Sequence, residues 1–517
     1  MRNHSVSKYF TKLQLMVTIL LAGPLPAGYL LSVNFARSAS LKAAGQAKRS
    51  GLIAGVITYF IGIFLTEQFI LPGSFSDSPR RGGAAILLFL VLHGLWASLY
   101  HFYALRLRGG FPGETSPGKL EGHSWWTALP YMAVGFGLTA FYLLAGPFPF
   151  TFLAVYLLPH LYLYGHLRKV FTSKRAKHWF TVVFVFVLLL FPLTMALDMG
   201  GRDIFWYARM AGYYYLPVLL YLLLFYLLFD LVQLVNRLSA FVHRNAFKSA
   251  RLRAYLLAFF LLAIGIIMGV GIHNFNHTTV QSYQVDIPRK QASVDEVTIA
   301  MAADLHLSSI TRMDFLEQFV DQLNAIDADV VLLPGDILES SDGNSRLRAF
   351  ERQMRRIKAS YGVYAVEGNH EHYGSGEGLG FFERSDIRLL QDTVVRVDNA
   401  FYLVGRRDRH QRNRQSLGGL LQSAGDSLPT LVMDHQPYEL GKVASQNVDI
   451  QFSGHTHHGQ LFPINFITRA IYRLSWGHQE IDGTHFFVTC GAQGWGPPVK
   501  TSSRSEIMKI KVQLVER

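Results

Sequence analysis

Residues 297–306 read VTIAMAADLH, so a short apolar run with β-branched residues ends in an aspartate and a histidine. Runs of this length and composition are typical of buried strands. Four similar runs follow, at residues 330–333, 362–366, 430–433 and 448–452. Polar stretches with helical spacing separate them, among them 312–325 and 345–358. This alternation predicts an α/β layered domain.

Side chains that can bind metal ions follow each of the five runs. They are Asp304 and His306, then Asp336, then Asn369 and His370, then His435, and last His455 and His457. Because the ends of such strands meet at one edge of an α/β sheet, we expect these side chains to lie together. Their oxygen and imidazole atoms, without a thiolate, suit Mn, Fe, Zn, Co or Ni ions. The spacing of two within Asp304/His306 and within His455/His457 predicts that each pair projects to one side of an extended segment.

Each motif has a simpler interpretation when it is taken alone. An aspartate or histidine beside a turn is usually structural, and the glycines before Asp336, Asn369 and His455 are typical of turns. Five such motifs in order, each directly after an apolar run, favour one shared site instead.

Together the motifs resemble the signature of the calcineurin-like metallophosphoesterases, over about residues 294–517. The resemblance implies a β-sandwich core flanked by helices, and hydrolysis of a phosphoester by hydroxide that two divalent metal ions activate. It implies that one ion is bound by Asp304, His306, Asp336 and His457. Asp336 would bridge to the second ion, which Asn369, His435 and His455 also bind. His370 would stabilise or protonate the leaving oxygen.

The chemistry of these residue types fits those roles. Two divalent ions about 3.5–4 Å apart can clamp a phosphoryl group and lower the pKa of a bridging water. Glu371 and Asp434 are either acceptors that orient imidazoles or solvated acids, and we favour the second interpretation. His458 stands where relatives usually have glycine; it is a spare imidazole, a substrate contact or a tolerated replacement, and we favour the last. The glycine-rich stretch 490–498 also resembles the family, and it suits a loop close to substrate.

Two groups of arginines accompany the motifs. The group within 346–358 lies on a predicted helix, where a solvated face is the default interpretation. The second group follows the strand-like run 401–404, at the possible rim of the site, and is a candidate for binding phosphate or anionic lipid. Its members are Arg406, Arg407, Arg409, Arg412 and Arg414.

The first half of the chain has the composition of a membrane domain. Residues 1–275 carry 24 Lys and Arg but 7 Asp and Glu, whereas residues 276–517 carry 25 and 29. A bilayer core requires about 20 mostly apolar residues per helix. Stretches that meet this requirement predict about eight spans, at 13–36, 50–71, 82–105, two within 122–167, 179–197, 210–229 and 254–272. We therefore expect a polytopic domain over 1–275, a polar linker over 276–293 and the phosphoesterase-like domain over 294–517.

The positive charge of the predicted loops indicates how the chain is oriented. Lys and Arg are enriched in cytoplasmic loops, and the loops on one side hold 17 of them against 7 on the other. This places the C-terminal domain outside the cytoplasm, with the chain in the inner membrane of a bacterium. The basic excess lies in the apolar half, so it favours membrane phosphates over a nucleic-acid partner. One cysteine, Cys490, excludes a disulfide framework.

Two functions of different classes are compatible with the sequence. In the first, the protein hydrolyses a phosphodiester or pyrophosphate in a membrane-associated substrate, and the resemblance extends to membrane-attached bacterial phosphodiesterases, some of which cleave the pyrophosphate of UDP-diacylglucosamine. In the second, the helices act as a sensor, transporter or scaffold and the C-terminal domain regulates them. The partners expected are the lipid bilayer and a phosphoester substrate, for which a lipid-linked one is a candidate; the sequence predicts no oligomeric state.

Overall fold

The computed structural model describes residues 148–198, 206–239, 246–339, 346–372 and 380–516. Its first four helices are α1 (Phe148–Leu167), α2 (Lys174–Asp198), α3 (Trp206–Ser239) and α4 (Ala250–Asn276). Within the described residues, three segments are long and apolar enough to cross a membrane: Lys174–Thr194 of α2, and all of α3 and α4. They contain the predicted spans at 210–229 and 254–272 and most of that at 179–197. The spans predicted before residue 148 lie outside the described residues, so the count of eight stays a prediction.

The segment 276–293, expected from its polarity to be a linker, contains a strand. Helix α4 ends at Asn276, and β1 (Thr279–Pro288) follows almost at once. All ten residues of β1 pair in parallel with the last strand, β12 (Glu506–Val515). The side chains of Val285 and Ile287 are buried in the core. The side chain of Asp286 between them is exposed, because neighbouring side chains of a strand point to opposite faces. An edge strand of this kind is easily taken for a linker.

Two six-stranded sheets form the C-terminal domain. The first sheet has the order β1-β12-β2-β3-β4-β5 and the second the order β10-β11-β9-β8-β7-β6. The remaining strands are β2 (Glu296–Met301), β3 (Val330–Pro334), β4 (Val363–Val366), β5 (Arg388–Leu389), β6 (Thr393–Val397), β7 (Phe401–Gly405), β8 (Thr430–Met433), β9 (Ile450–Ser453), β10 (Gly477–Ile481) and β11 (Thr484–Val488). The five apolar runs of the sequence are therefore β2, β3, β4, β8 and β9.

Apolar layers hold the two sheets together and attach helices to their outer faces. Alternate residues of each strand, such as Ile299 of β2 and Leu403 of β7, meet in one buried cluster between the sheets. The outer face of the first sheet packs against α5 (Met313–Asn324), α6 (Leu347–Met354) and α7 (Gly380–Arg384). The outer face of the second packs against α8 (Leu417–Ala424) and α9 (Leu440–Ala444). A last helix, α10 (Ile464–Ile471), follows β9. The predicted fold class, membrane helices with a layered β-sandwich domain, is confirmed.

The directions of the strands bring the metal-binding motifs and the membrane helices to the same edge. Strands β2, β3 and β4 run parallel to one another, and so do β7, β8 and β9. Thr279, the first residue of β1, pairs with Glu506 of β12, and Met508 of β12 pairs with Met301 at the end of β2. The carboxyl end of β2 therefore lies at the edge where α4 enters the domain.

Candidate metal centre

Six of the seven predicted ligands form two groups at this edge. In one group, ligand atoms of Asp304, His306 and His457 lie within 4.8 Å of one another; in the other, those of Asp336, His435 and His455 do. The two groups are contiguous, because Oδ2 of Asp336 lies 3.0 Å from Nε2 of His435 and 3.8 Å from Nε2 of His306.

The seventh predicted ligand, Asn369, lies beside Asp336. Asn369 is buried. The next residue, His370, donates its backbone N–H to Oδ1 of Asp336 at 2.9 Å. The loop after β4 therefore meets the loop after β3 at the carboxylate that the resemblance assigns as the bridge. His370 itself lies next to the first group, with its ring centroid 4.5 Å from that of His306.

The two spaced pairs reach the site by turns, so the expected extended geometry is wrong. Asp304, His306, His455 and His457 all have left-handed backbone, with φ of 56°, 45°, 71° and 46°. His455 and His457 lie in different groups, whereas Asp304 and His306 lie in the same group, as expected. Left-handed backbone is costly for residues other than glycine and concentrates at functional sites. The left-handed backbone is therefore a conformational cost of placing these side chains in the site.

Two glycines give the ligands the space that they occupy. A Cβ atom on Gly368 would lie 2.1 Å from Oδ1 of Asp336, and one on Gly335 would lie 2.4 Å from Nδ1 of His435. Real Cβ atoms do not approach other atoms so closely. The close packing of the ligand side chains requires both glycines, and Gly335 is also required by its left-handed backbone, with φ of 90°.

Burial and mutual contact set the charges of the site. Burial raises the pKa of Asp304 to about 6. It also lowers the pKa of His455 to about 3 and that of His457 well below its usual value. Burial acts against a charge on His435 too, but the carboxylate of Asp336 outweighs it and raises the pKa of His435 to about 10. In return His435 holds the pKa of Asp336 well below its usual value, despite burial.

The side chains present fit divalent metal ions. Nε2 of His306 and Nε2 of His457 face each other at 3.1 Å, and Nδ1 of His457 is buried without a hydrogen-bond partner. Burying carboxylates and imidazoles this close together costs free energy unless a cation lies between them. Their oxygen and nitrogen atoms are the ligands that Mn, Fe and Zn ions take in proteins.

Glu339 belongs to the site, and sequence reasoning missed it. Its carboxylate lies 2.8 Å from Nδ1 of His306 and 3.3 Å from Nδ1 of His370, and it accepts a hydrogen bond from Nε1 of Trp495 at 2.9 Å. Burial favours the neutral acid, but the hydrogen bonds from the two imidazoles outweigh it and lower the pKa of Glu339 to about 2. The feature of the sequence that could have indicated Glu339 is its position three residues after Asp336, in the same loop.

Glu371 and Asp434 are buried, so their interpretation as solvated acids is wrong. The carboxylate of Glu371 accepts hydrogen bonds from the backbone N–H groups of Asp336, Ile337, Leu338 and Gly368, at 2.6–3.1 Å. It therefore ties the loop after β3 to the loop after β4, and both loops carry predicted ligands. Burial and the nearby Asp336 raise the pKa of Glu371 to about 7.

Asp434 engages two of the arginines that were candidates for phosphate binding. Its Oδ2 atom lies 2.7 Å from Nη1 of Arg406 and also pairs with Nη2 of Arg414. Arg409 lies over the ring of Tyr438, 4.4 Å from its centroid. These contacts hold the loop after β7 at the rim of the second sheet. Fewer of its arginines are therefore available to bind a ligand.

His458, the residue at the usual glycine position, is buried away from the ligands. Its Nδ1 atom lies 3.1 Å from the hydroxyl of Ser475, and its ring packs 5.1 Å from that of Trp476. It adopts a φ of 48°, the left-handed conformation that explains why glycine suits this position. The replacement is tolerated because the imidazole packs into the next loop.

Comparison with known proteins places this geometry in a family. The family model for the calcineurin-like phosphoesterase matches residues 297–459. An uncharacterized metallophosphoesterase of Helicobacter pylori is 29% identical over 224 residues, which cover 42% of this chain and 60% of that protein. The chain thus spans less than two thirds of the length of this relative.

Two other relatives match longer stretches of the chain. An uncharacterized metallophosphoesterase of Campylobacter jejuni is 24% identical over 380 residues, covering 71% of this chain and 98% of that protein. A Danio rerio protein described as a transmembrane protein with a metallophosphoesterase domain is 26% identical over 313 residues, covering 56% and 70%. Within the described residues, three helices are long and apolar enough to cross a bilayer, and residues 297–459 form a calcineurin-like phosphoesterase domain.

Proposed function

We propose that the protein hydrolyses a phosphodiester or a pyrophosphate with the help of two divalent metal ions. The observation that carries this proposal is the pair of contiguous ligand groups, with the carboxylate of Asp336 between His306 and His435. One ion would be held by Asp304, His306, Asp336 and His457, and the other by Asp336, Asn369, His435 and His455.

The residues around the ligands would do separate work. The bound ions would supply positive charge for the phosphoryl oxygens and lower the pKa of a water molecule. His370 lies beside His306 without a place in either group of three ligands, so we assign it to proton transfer to the leaving oxygen, a role that imidazole suits near neutral pH. Glu339 holds the imidazoles of His306 and His370 at their Nδ1 atoms, which directs both Nε2 atoms toward the site.

We further propose that the substrate is a membrane lipid or glycolipid. The support is the strand register, which sets the ligand edge of the first sheet beside the end of α4. A site at this edge lies close to the bilayer that α4 crosses. A site at the opposite edge would stand farther away by the length of β1, about 33 Å for ten residues. A water-soluble substrate would gain nothing from this placement.

The catalytic proposal is tested with the purified full-length protein, Mn²⁺ and the chromogenic substrate bis(4-nitrophenyl) phosphate. Asp336→Ala is expected to lose at least about a thousandfold in turnover and most of its bound metal, because both groups lose a shared ligand. Asp482→Ala, on the exposed turn between β10 and β11, is the matched control and should keep both. Equal turnover by Asp336→Ala would refute the assigned site.

The side of the membrane follows from loop charge, and we propose the extracytoplasmic side of the inner membrane. Alkaline phosphatase or green fluorescent protein fused after Arg517 gives the direct test, because the first is active only outside the cytoplasm and the second fluoresces only inside. Fluorescence with inactive phosphatase would place the domain in the cytoplasm.

A further inference from the structure

Helix α10 exposes its large apolar side chains and buries a threonine. Phe466, Ile467 and Ile471 are 58%, 61% and 60% exposed, while Thr468 is only 7% exposed. Phe462, just before the helix, is 49% exposed and packs 5.6 Å from the ring of Phe466. A helix on the surface of a soluble domain has the opposite arrangement. Apolar patches that remain exposed mark sites of interaction.

The residues before α10 pack against the membrane helices. Leu461 and Val499 belong to a cluster with Tyr221 of α3 and with Ile264 and Met268 of α4. Met268 lies eight residues before the end of α4, about 12 Å along the helix axis. It falls within the uncharged stretch 254–272, which suits the hydrocarbon core. The loop that leads into α10 therefore reaches down the side of α4 to the level of the bilayer.

Hydrogen bonds fix this loop at that level. The N–H of Phe462 donates to Oγ1 of Thr501 at 2.9 Å, and the hydroxyl of Tyr221 pairs with the same atom. The N–H of Lys500 donates to the carbonyl of Gly271 in α4 at 2.9 Å. A Cβ atom on Gly271 would lie 2.5 Å from Cγ1 of Val499. The contact is therefore a close one, and α10 begins three residues after Leu461.

The same segment connects to the metal centre at both ends. His457, a predicted ligand, begins the turn that leads to Leu461 and α10. Tyr472, directly after α10, has its ring 6.1 Å from that of His455 and its hydroxyl 2.9 Å from that of Tyr438. One side of the segment thus faces the site, and the other presents apolar side chains outward.

We propose that residues 462–471 form an interfacial membrane element, which lies in the surface of the bilayer with Phe462, Phe466, Ile467 and Ile471 among the lipid chains. The occupant of this apolar face is the bilayer that α3 and α4 cross, because the face continues from the packing of Leu461 on those helices. Arg469 and Arg473, both exposed, supply the positive charge that binds lipid phosphates in such elements. The element forms the membrane-side wall of the metal centre and admits lipid phosphoesters to it. This last role rests on the proposed function, whereas the position of the element does not.

The position is tested by fluorescence in vesicles. The only cysteine, Cys490, is fully buried, so Ile467→Cys can be labelled selectively with the dye NBD on the full chain, and the wild type reports the background. The vesicles contain phosphatidylglycerol and phosphatidylethanolamine, with or without lipid that carries a nitroxide at the fifth carbon of one acyl chain. The label at position 467 is expected to lose at least about half its emission to the nitroxide, as a shallow interfacial site does.

A matched control uses Asp482→Cys, labelled in the same way. Residue 482 lies in the exposed turn after β10. The adjoining His485 contacts the carbonyl of Asp286, ten residues along the chain from the end of α4, so this turn is at the far end of β1. Its label should show no quenching by the nitroxide and full quenching by aqueous iodide. Equal behaviour of labels 467 and 482 would overturn the proposal. So would disulfide crosslinking of unlabelled Ile467→Cys between copies, which would assign the face to a second copy of the chain.

Turnover distinguishes this proposal from the proposed function. The double variant Phe466→Ser, Ile467→Ser is compared with wild type on hexadecyl 4-methylumbelliferyl phosphate in vesicles and on bis(4-nitrophenyl) phosphate in water. The ratio of lipid to soluble turnover is expected to fall about tenfold, because two apolar anchors are lost. An unchanged ratio would refute the access role. A wild-type protein without turnover on either substrate would refute the proposed function alone, since the vesicle fluorescence requires no catalysis.

Discussion

Replacing Gly368 with alanine is expected to prevent metal binding while leaving the rest of the domain folded. A Cβ atom at this position would lie 2.1 Å from Oδ1 and 2.6 Å from the backbone nitrogen of Asp336. The backbone of Gly368 is not in the left-handed region, so alanine is compatible with its conformation. The substitution therefore tests space alone.

The size of the effect follows from the distances. An ordinary contact of a Cβ atom begins near 3.4 Å, so Asp336 must move away by about 1.3 Å, whereas metal ligands must hold their distances to about 0.2 Å. Asp336 would no longer be placed to bind either of the two proposed metal ions, and we expect metal affinity to fall at least about a hundredfold. Overpacking of a buried site costs about 1–3 kcal/mol. That cost lowers the melting temperature by about 2–12 °C without unfolding a domain of this size.

The assay is metal content by mass spectrometry, with Mn²⁺ titration calorimetry and thermal unfolding on the same full-length protein in detergent. Gly418→Ala is the matched control, because a Cβ atom there would meet only Oε1 of Gln446 at 3.5 Å and alanine favours the helix α8. Metal content equal to wild type in Gly368→Ala would refute the argument that Gly368 makes room for Asp336. Unfolding of the variant at room temperature would refute the estimated cost.

Three further predictions concern the groups around the ligands. Glu339→Gln is expected to lower turnover about 10- to 100-fold, because glutamine no longer accepts from both imidazoles and His306 loses its orientation. Glu371→Leu is expected to destabilise the domain by about 4 kcal/mol or more, because four buried backbone N–H groups lose their acceptor, which thermal unfolding measures. Metal binding at pH 7 is expected to release at least one proton, because the raised pKa of His435, about 10, keeps its imidazole charged in the metal-free protein, and despite burial Glu339 and Asp336 raise the pKa of His306 as well. Affinity should therefore rise with pH until the pH passes that pKa, and calorimetry in two buffers of different ionisation enthalpy counts the protons.

Each of these predictions has an outcome that contradicts it. Glu317→Gln, on the exposed side of α5, makes the same chemical change as Glu339→Gln and should leave turnover unchanged; equal turnover by the two variants would remove Glu339 from the site. A melting temperature of Glu371→Leu within about 2 °C of wild type would show that its backbone partners find other acceptors. Affinity that stays constant from pH 7 to pH 9 would show that His435 is already neutral without metal.

The ligand edge could be predicted from sequence because its signals are local. Short apolar runs such as 330–333 and 430–433 are strands in the structure, and parallel strands place the residues after them at one edge. Six of the predicted ligands meet there for that reason. The resemblance, and not the spacing, separated His455 from His457, because left-handed turns override the alternation of a strand.

Long-range partners could not be predicted in the same way. Glu371 was interpreted as a solvated acid and Glu339 drew no prediction, because a carboxylate in a polar loop carries no sign of what it will accept. Their roles depend on Trp495 and on backbone N–H groups more than thirty residues away. The strand β1 was missed because only Val285 and Ile287 of its residues are fully buried, with Tyr283 partly buried beside them. Edge strands with one solvated face leave a weak pattern in sequence.

The position of the interfacial membrane element, residues 462–471, restricts which substrates suit the site. The sheet edge with the predicted ligands lies beside α4. Helix α10 exposes apolar side chains, and Leu461 before it packs against α3 and α4. Under the proposed function, a substrate that enters there would have its acyl chains in the bilayer and its phosphoester near the surface. Nucleotide-linked lipids are made in the cytoplasm, so a domain on the extracytoplasmic side would act on lipids without a nucleotide. A cytoplasmic domain would restore UDP-diacylglucosamine as a candidate. The fusion after Arg517 therefore selects the substrate class as well as the side, and it should precede any screen of lipids.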